Sequence, residues 1–432
     1  MKIRLLLALA GSALGFAVLI LAGLPTASRA AEAPATASAG EMVPGFNHQG
    51  LERLHEGLRA FVDSGQYAGT VSLLLREGQV ADAYAYGMRD LENKLPMGRD
   101  TICRLYSLSK IVSTVAALTL VEQGKLDLGD PVENYLPQLA NRQVMVGGTA
   151  DAPKLQPASH PFTLRELMTH TAGFIYGGGP AAISEVWERA HLWDSKSLSE
   201  FVDRLAPLPL VHDPGTTFEY SVSIDVLGAV VEKVSGQPFE QVLRERIFEP
   251  LGMKDTGFSV EPAKRDRLAK TYKPGADGRL VEAAPLIGVV PEGTGAWPGA
   301  GLFSTIDDFA RFAQMLCDNG TANGHRILSR KTVDLMMANQ LYELPLKYNT
   351  FRPNNQADGF GLGGEVRIEA GGDRLGSVGD YGWYSAATGF CKVNRKEKLV
   401  ALCFTEHFTG KAQPLDWHFV RVFANLYNQA LE

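Results

Sequence analysis

The chain predicts an α+β fold in which an antiparallel sheet is assembled from both chain ends and backed by helices, with a mainly helical domain inserted between them. Three observations carry that expectation. Strand-like runs cluster near the start and the end of the sequence, residues 124–270 read as helices and loops, and an apolar helical segment closes the chain. With 432 residues, 45% apolar and 21% charged, the chain can bury a large core and reads as one two-part unit rather than a string of modules. The α/β part is expected at 45–123 with 286–432, and the helical part at 124–285.

In chain order, residues 1–30 carry Lys2 and Arg4, an apolar run over 5–24 and small residues up to Ala30, the pattern of a secretory signal. The run is long, so an uncleaved membrane anchor is the alternative; after cleavage no membrane association is expected. Export to the periplasm or medium of a bacterium follows. Residues 31–44, rich in Ala, Glu, Pro and Ser, read as a flexible lead. A helix is expected over 51–64, then strands 70–75 and 80–86 joined through Arg76-Glu77-Gly78-Gln79, with glycine where the hairpin turn needs one. Apolar helices follow at 111–121 and 224–234. Segments 363–368, 384–393 and 399–405 read as strands, and 415–430 as the closing helix. Residues 143–161 read as a loop or hairpin near the groove and 342–359 as a long irregular segment, and such segments beside a cleft often select substrate.

The net charge of −6 is spread along the chain, which argues against nucleic-acid binding. Of the four cysteines, Cys391 and Cys403 flank a turn at 394–397 and are expected on neighbouring strands; free buried thiols are favoured for all four, including Cys103 and Cys317. Neither cysteine nor histidine spacing resembles a metal site, and no cofactor is expected.

Chemistry concentrates at Ser107-Leu108-Ser109-Lys110. Serine and lysine three apart at a helix start share one face, so a nucleophile has a base beside it. A serine hydroxyl needs a partner to take its proton, and a lysine serves only when burial or nearby charge brings its pKa down from about 10.4. The apolar helix that follows supplies such burial. Tyr220-Ser221-Val222 follows the turn Asp213-Pro214-Gly215, and Gly379 to Ala387 reads as a turn entering a strand.

With these motifs the sequence resembles the serine β-lactamase and penicillin-binding-protein superfamily, closest to the β-lactamase-fold carboxylesterases called family VIII. The resemblance runs from about Leu51 to the C-terminus, through Tyr86-Gly87-Met88-Arg89-Asp90, Leu167-Met168-Thr169-His170-Thr171-Ala172-Gly173 and Gly301-Leu302-Phe303-Ser304-Thr305. It implies a β-lactamase/transpeptidase-like fold. It also implies Ser107 as acylated nucleophile, Lys110 as base, Tyr220 as phenol across the cleft, and the backbone N–H groups of Ser107 and Ala386 as oxyanion donors. Tyr176 is implied at the cleft rim as a substrate-contacting aromatic; His170 has no catalytic task.

The departures concern substrate. In the β-lactamase branch the tyrosine motif ends in Asn and the third motif begins Lys-Thr-Gly; here Val222 takes the first place and Trp383, Tyr384 and Ser385 the others. An indole for an ammonium removes a charge contact and adds apolar surface, which suits a neutral ester. Esterases of this fold carry Trp-x-Gly, so Ser385 puts a side chain where glycine is usual. Val222, Trp383, Ser385 and Tyr176 are the expected substrate-binding residues. The leading expectation is an exported serine hydrolase for small carboxylic esters. The alternatives are a β-lactamase or D-Ala-D-Ala carboxypeptidase and a catalytically silent binding protein of the same fold; oligomeric state is left open.

Overall fold

Strands from the two chain ends meet in one eight-stranded antiparallel sheet. In the computed structural model, which describes residues 45–177, 179–284, 286, 296–341, 357–411 and 414–432, its strands are β1 (Gly69–Arg76), β2 (Gln79–Asp90), β3 (Leu95–Pro96), β4 (Asp358–Phe360), β5 (Glu365–Arg367), β6 (Tyr381–Ser385), β7 (Gly389–Asn394) and β8 (Leu399–Phe404). Their order is β4-β5-β6-β7-β8-β1-β2-β3, so the first strand lies beside the last, with Val71 opposite Phe404 and Arg76 opposite Leu399. The signal segment, the lead and most of 342–359 lie outside the described residues.

The β1–β2 turn uses Glu77 at φ +54° and Gly78 at φ +80°, the left-handed pair that a two-residue hairpin of this twist requires. The expected strand 384–393 is not one strand. The chain reverses between Ser385 and Gly389, with Thr388 at φ +58° donating its N–H to Ser385 O (3.0 Å). β-Branched residues seldom adopt that conformation, which is why Ala386-Ala387-Thr388 carries no turn signal.

Helix α1 (His48–Asp63) starts at Asn47, whose side chain accepts from Gly50 N–H at 2.6 Å, and lies with the closing helix α6 (Trp417–Gln429) on one sheet face. Helix α5 (Ile306–Cys317) packs against the sheet strands β1, β7 and β8. Helix α2 (Ser109–Glu122) is buried from Ser109 to Leu120 and packs against α4 (Ser223–Ser235), with α3 (Leu198–Leu205) beyond. A helix enclosed on all sides needs no polar stripe, and residues 111–121 have almost none. The 143–161 segment forms the hairpin Gln143–Gly148 and Pro153–Pro157. A second hairpin, Tyr272–Pro274 with Leu280–Glu282, joins the sheet half through Tyr272 N–H to Glu406 O (3.0 Å) and Phe408 N–H to Tyr272 O (2.9 Å).

All four cysteines are buried and free. Cys391 and Cys403 do lie on neighbouring strands, but Cys391 pairs with Leu402 and Cys403 with Phe390, so alternation points their side chains to opposite faces.

Candidate active site

Ser107, the expected nucleophile, sits on a sharp turn. Cys103–Arg104 pairs with Phe303–Ser304, Leu105 N–H donates to Leu302 O (2.8 Å), and Tyr106 then takes φ +43° before a short 3₁₀ turn, Tyr106–Leu108, leads into α2. Such backbone strain in a residue with a side chain is common at functional sites. Ser107 thus precedes the α-helix rather than lying in it, yet the expected neighbour is present: Lys110 Nζ donates to Ser107 Oγ at 3.3 Å. The same ammonium donates to Gly299 O at 2.7 Å. Lys110 is 0% exposed, and its Nζ lies 5.1 Å from the Tyr176 ring centroid and 4.8 Å from that of Tyr220, within cation–π range of both.

Gly299 is a contact the motifs do not announce. Its N–H donates to Asp225 Oδ1 at 2.9 Å while its carbonyl takes the lysine, so one peptide segment links a buried carboxyl to a buried ammonium. A Cβ there would come within 2.6–3.0 Å of the carboxyl group, which excludes any other residue without movement. Burial pushes the Asp225 carboxyl up to about 6, against the pull of Lys110. Asp225 lies in the first turn of α4 and acts there as a hydrogen-bond acceptor.

Tyr220 is held from two sides. Trp383 Nε1–H donates to its hydroxyl at 3.1 Å with the rings 5.2 Å apart, and His170 packs 4.7 Å from it on the other flank. His170 Nδ1 accepts from Ser221 N–H (3.2 Å), and Glu219 N–H donates to His170 O (2.8 Å). Burial, then the Lys110 charge, holds His170 well below the usual histidine range. A neutral imidazole accepting from the backbone beside Tyr220 orients that residue, in line with a structural reading.

The remaining expected residues divide. Tyr176 is half-buried, stacked on Trp193 (6.1 Å, 18°), and at 5.4 Å from Tyr220; Trp193 belongs to the aromatic wall and escaped the sequence reading because no motif marks it. Burial and then Asp225 raise the Tyr176 phenol well above its ordinary value, so it stays neutral. Trp383, 2% exposed, stands behind Tyr220, and Val222, 0% exposed, is packed in the core at the start of α4. Ser385 Oγ accepts from Ala387 N–H at 3.2 Å, and a Cβ on Gly389 would lie 2.7 Å from Ser385 Cβ, so the glycine across the turn makes room for the serine. Ala386 packs on the cluster of Tyr106, Ala387 and Phe408, which brings the 385–388 turn beside the nucleophile turn. The loop is anchored from beneath: Thr405 Oγ1 and His407 N–H both donate to Ala387 O (2.9 and 3.1 Å).

A serine with a buried amine one turn away, a phenol fixed by an indole N–H, and two adjoining turns that can present backbone N–H groups can form and resolve an acyl-enzyme. Comparison with known proteins bears on that chemistry. Residues 55–425 match the Beta-lactamase family. Protein Rv1367c of Mycobacterium tuberculosis is 32% identical over 368 residues, 83% of this chain and 90% of that one. Esterase EstB of Burkholderia gladioli is 34% identical over 274 residues, 58% of this chain and 66% of that one. Among solved structures, EstCE1, described as a hydrolase with promiscuous acyltransferase activity, superposes with a TM-score of 0.71 at 27% identity over 88% of this chain and 98% of its own.

Proposed function

Since the chain belongs to the beta-lactamase family, with esterases among its relatives, we propose that it is a carboxylesterase working through an acyl-enzyme on Ser107. The observation that carries the proposal is the Lys110 Nζ to Ser107 Oγ contact inside an enclosure of carbonyl and ring faces. Lys110 as the free amine takes the Ser107 proton while Oγ attacks the ester carbonyl carbon. The N–H groups of Ser107 and Ala386 receive the oxyanion, a contribution of about 3 kcal/mol for each donor. Collapse expels the alkoxide, which takes a proton delivered through Tyr220 and Lys110, and water then attacks the acyl-enzyme by the reverse route.

A neutral acyl substrate is supported by Tyr176 and Trp193, which give the wall beside Lys110 ring faces. The absence of a Lys-Thr-Gly motif and of the motif asparagine weighs against β-lactam or peptidoglycan substrates. The acyl-enzyme is equally open to an alcohol, and the description of EstCE1 supports acyl transfer as a second outcome. The signal pattern in residues 1–30 supports an exported enzyme.

Hydrolysis of p-nitrophenyl butyrate and nitrocefin by wild type and Ser107→Ala, with intact-mass detection of the adduct, tests the reading. The expected result is ester turnover that falls at least about 10³-fold in the variant, a butyryl adduct on Ser107, and little nitrocefin cleavage. Adding n-butanol should divert acyl groups to butyl butyrate if transfer competes. Dominant nitrocefin turnover, or no adduct with any activated ester, overturns the proposal.

A further inference from the structure

Beneath the two turns that meet at the candidate oxyanion site lies a carboxyl group that the proposed chemistry does not use. Glu406 is 3% exposed and sits at φ +53° two residues beyond β8. Its Oε1 accepts from Arg104 N–H at 2.6 Å, three residues before Ser107, and its Oε2 accepts from Thr271 Oγ1 at 2.7 Å. Its main chain belongs to the Thr405–His407 segment that grips Ala387 O, the residue after the second oxyanion donor. A single side chain therefore ties the strand entering the nucleophile turn to the segment under the Ala386 turn, across 302 residues of sequence.

Resting on the esterase reading, we propose that Glu406 is a positioning residue that sets the spacing between the Ser107 and Ala386 N–H groups. The part-buried Arg104 N–H finds its acceptor in Glu406 Oε1, which lies outside the Cys103–Arg104 and Phe303–Ser304 pair. Both turns have strained backbone, Tyr106 at φ +43° and Thr388 at φ +58°, and strained segments hold their shape only when neighbours over-determine them. The groups facing the carboxyl are Arg104 and Cys103 from the nucleophile strand, Tyr106 from the turn and Thr271 from the hairpin segment; His407, next in sequence, turns instead to Tyr67 and Asp416. Burial, only partly offset by Arg104 and Thr271, pushes the carboxyl up to about 7.

Above that pH the carboxylate accepts both bonds. Below it the protonated oxygen donates to Thr271 Oγ1, reversing that bond, and the bond from Arg104 N–H is no longer charge-assisted. Glutamine keeps an oxygen for Arg104 N–H and a donor for Thr271 Oγ1 at every pH.

The test measures p-nitrophenyl butyrate kinetics, the rate of Ser107 phosphonylation by a fluorophosphonate, and the melting temperature from pH 5.5 to 8.5, for wild type, Glu406→Gln and Glu406→Ala. Glu406→Ala should lose about tenfold to a hundredfold in kcat with little change in KM, and Glu406→Gln should restore kcat to within about threefold. The wild-type labelling rate should fall by up to about threefold as pH drops through 7, to the level of Glu406→Gln, whose rate lacks that limb because glutamine presents the acceptor and donor of the protonated acid at every pH. Because the folded state binds the Glu406 proton more tightly than the unfolded chain, wild type should lose melting temperature relative to Glu406→Gln as pH rises through 7. Superposable pH profiles, or full activity in Glu406→Ala, overturn the proposal. If Glu406→Ala does not fold, the Glu406→Gln profiles decide. Absence of ester turnover in wild type would strike the esterase reading alone, since phosphonylation and melting still report on Glu406.

Discussion

Among the described residues two lysines are buried, Lys110 and Lys392, and they are held in opposite ways. Lys392, on β7, donates to Glu365 at 2.9 Å within a closed network: Arg374 reaches Glu365 (2.6 Å) and Asp358 (3.1 Å), Arg367 reaches Asp358 (2.7 Å), and Tyr384 O–H donates to Glu365 (2.8 Å). Burial draws the Lys392 ammonium down and Glu365 draws it back up. Lys110 instead meets a carbonyl oxygen, a serine hydroxyl and two ring faces, with Asp225 bonded to the peptide N–H rather than directly to it. Arg374 also reaches Asp373 (3.2 Å), so three cations meet three carboxylates, and removing a proton from one of the cations leaves a carboxylate without its match. Around Lys110 the direct partners are dipoles and ring faces rather than carboxylates. On the proposed mechanism, a buried lysine used for structure and one placed for chemistry are distinguished by their partners, not by their burial.

The strongest way to break this comparison is to delete each ammonium in turn. Lys110→Met should abolish ester turnover by about 10³-fold or more while the protein stays folded, because Gly299 O loses only one donor, about 1 kcal/mol. Lys392→Met should do the reverse. Leaving Glu365 with one cation fewer in a dry site is expected to destabilise by about 3 kcal/mol, with kcat per folded molecule unchanged. Urea unfolding and active-site titration separate the two outcomes; equal loss of turnover in both variants would erase the distinction.

Much of this contrast can be read in the sequence on one side only. Ser107 and Lys110 are three apart, so local geometry alone brings them together, whereas the place of Tyr220 across from them came from the family resemblance. Gly299, Asp225 and Glu406 act over separations of 74 to 302 residues, through backbone groups that no residue pattern advertises. The sheet followed from strand-like runs at both ends, since period-two and fully apolar runs are strong local signals. The Ser385–Gly389 reversal did not, because its turn is held by Thr405 and His407 from another strand rather than by turn-forming residues of its own. The charge network has no local signal either, since Arg367, Arg374 and Lys392 meet Asp358 and Glu365 only once the strands pair.

A smaller effect sharpens the electrostatic side. With the Asp225 carboxyl at about 6 in the folded protein and near 4 when unfolded, the folded state holds the extra proton between those values. The contribution of Asp225 to stability is then full below about 4 and lost as pH rises through 6. Asparagine keeps the acceptor for Gly299 N–H without the charge. Asp225→Asn should therefore gain on wild type as pH goes from 4 to 7, by about 1–3 kcal/mol, in a series of denaturant titrations. A difference independent of pH would mean that the carboxyl is not titrating in this cage.

The finest cut lies on one strand. Trp383 and Tyr384 are consecutive in β6 and therefore face opposite sides of the sheet, Trp383 toward Tyr220 and Tyr384 toward Glu365. Each gives one polar hydrogen to its region, so Trp383→Phe and Tyr384→Phe remove comparable bonds from the two lysine environments. Tyr384→Phe takes a single donor from Glu365, which still has Arg374 and Lys392, and about 1 kcal/mol of stability should go with no change in kcat. Trp383→Phe leaves an aromatic ring against Tyr220 but removes the indole N–H that helps orient its hydroxyl. The phenol then no longer presents its proton in a fixed direction to the leaving alkoxide, and kcat should fall about tenfold with KM little moved. If instead KM rose and kcat held, the indole would be a wall of the substrate site rather than a support for Tyr220, and the polar hydrogen at 3.1 Å would be incidental to turnover.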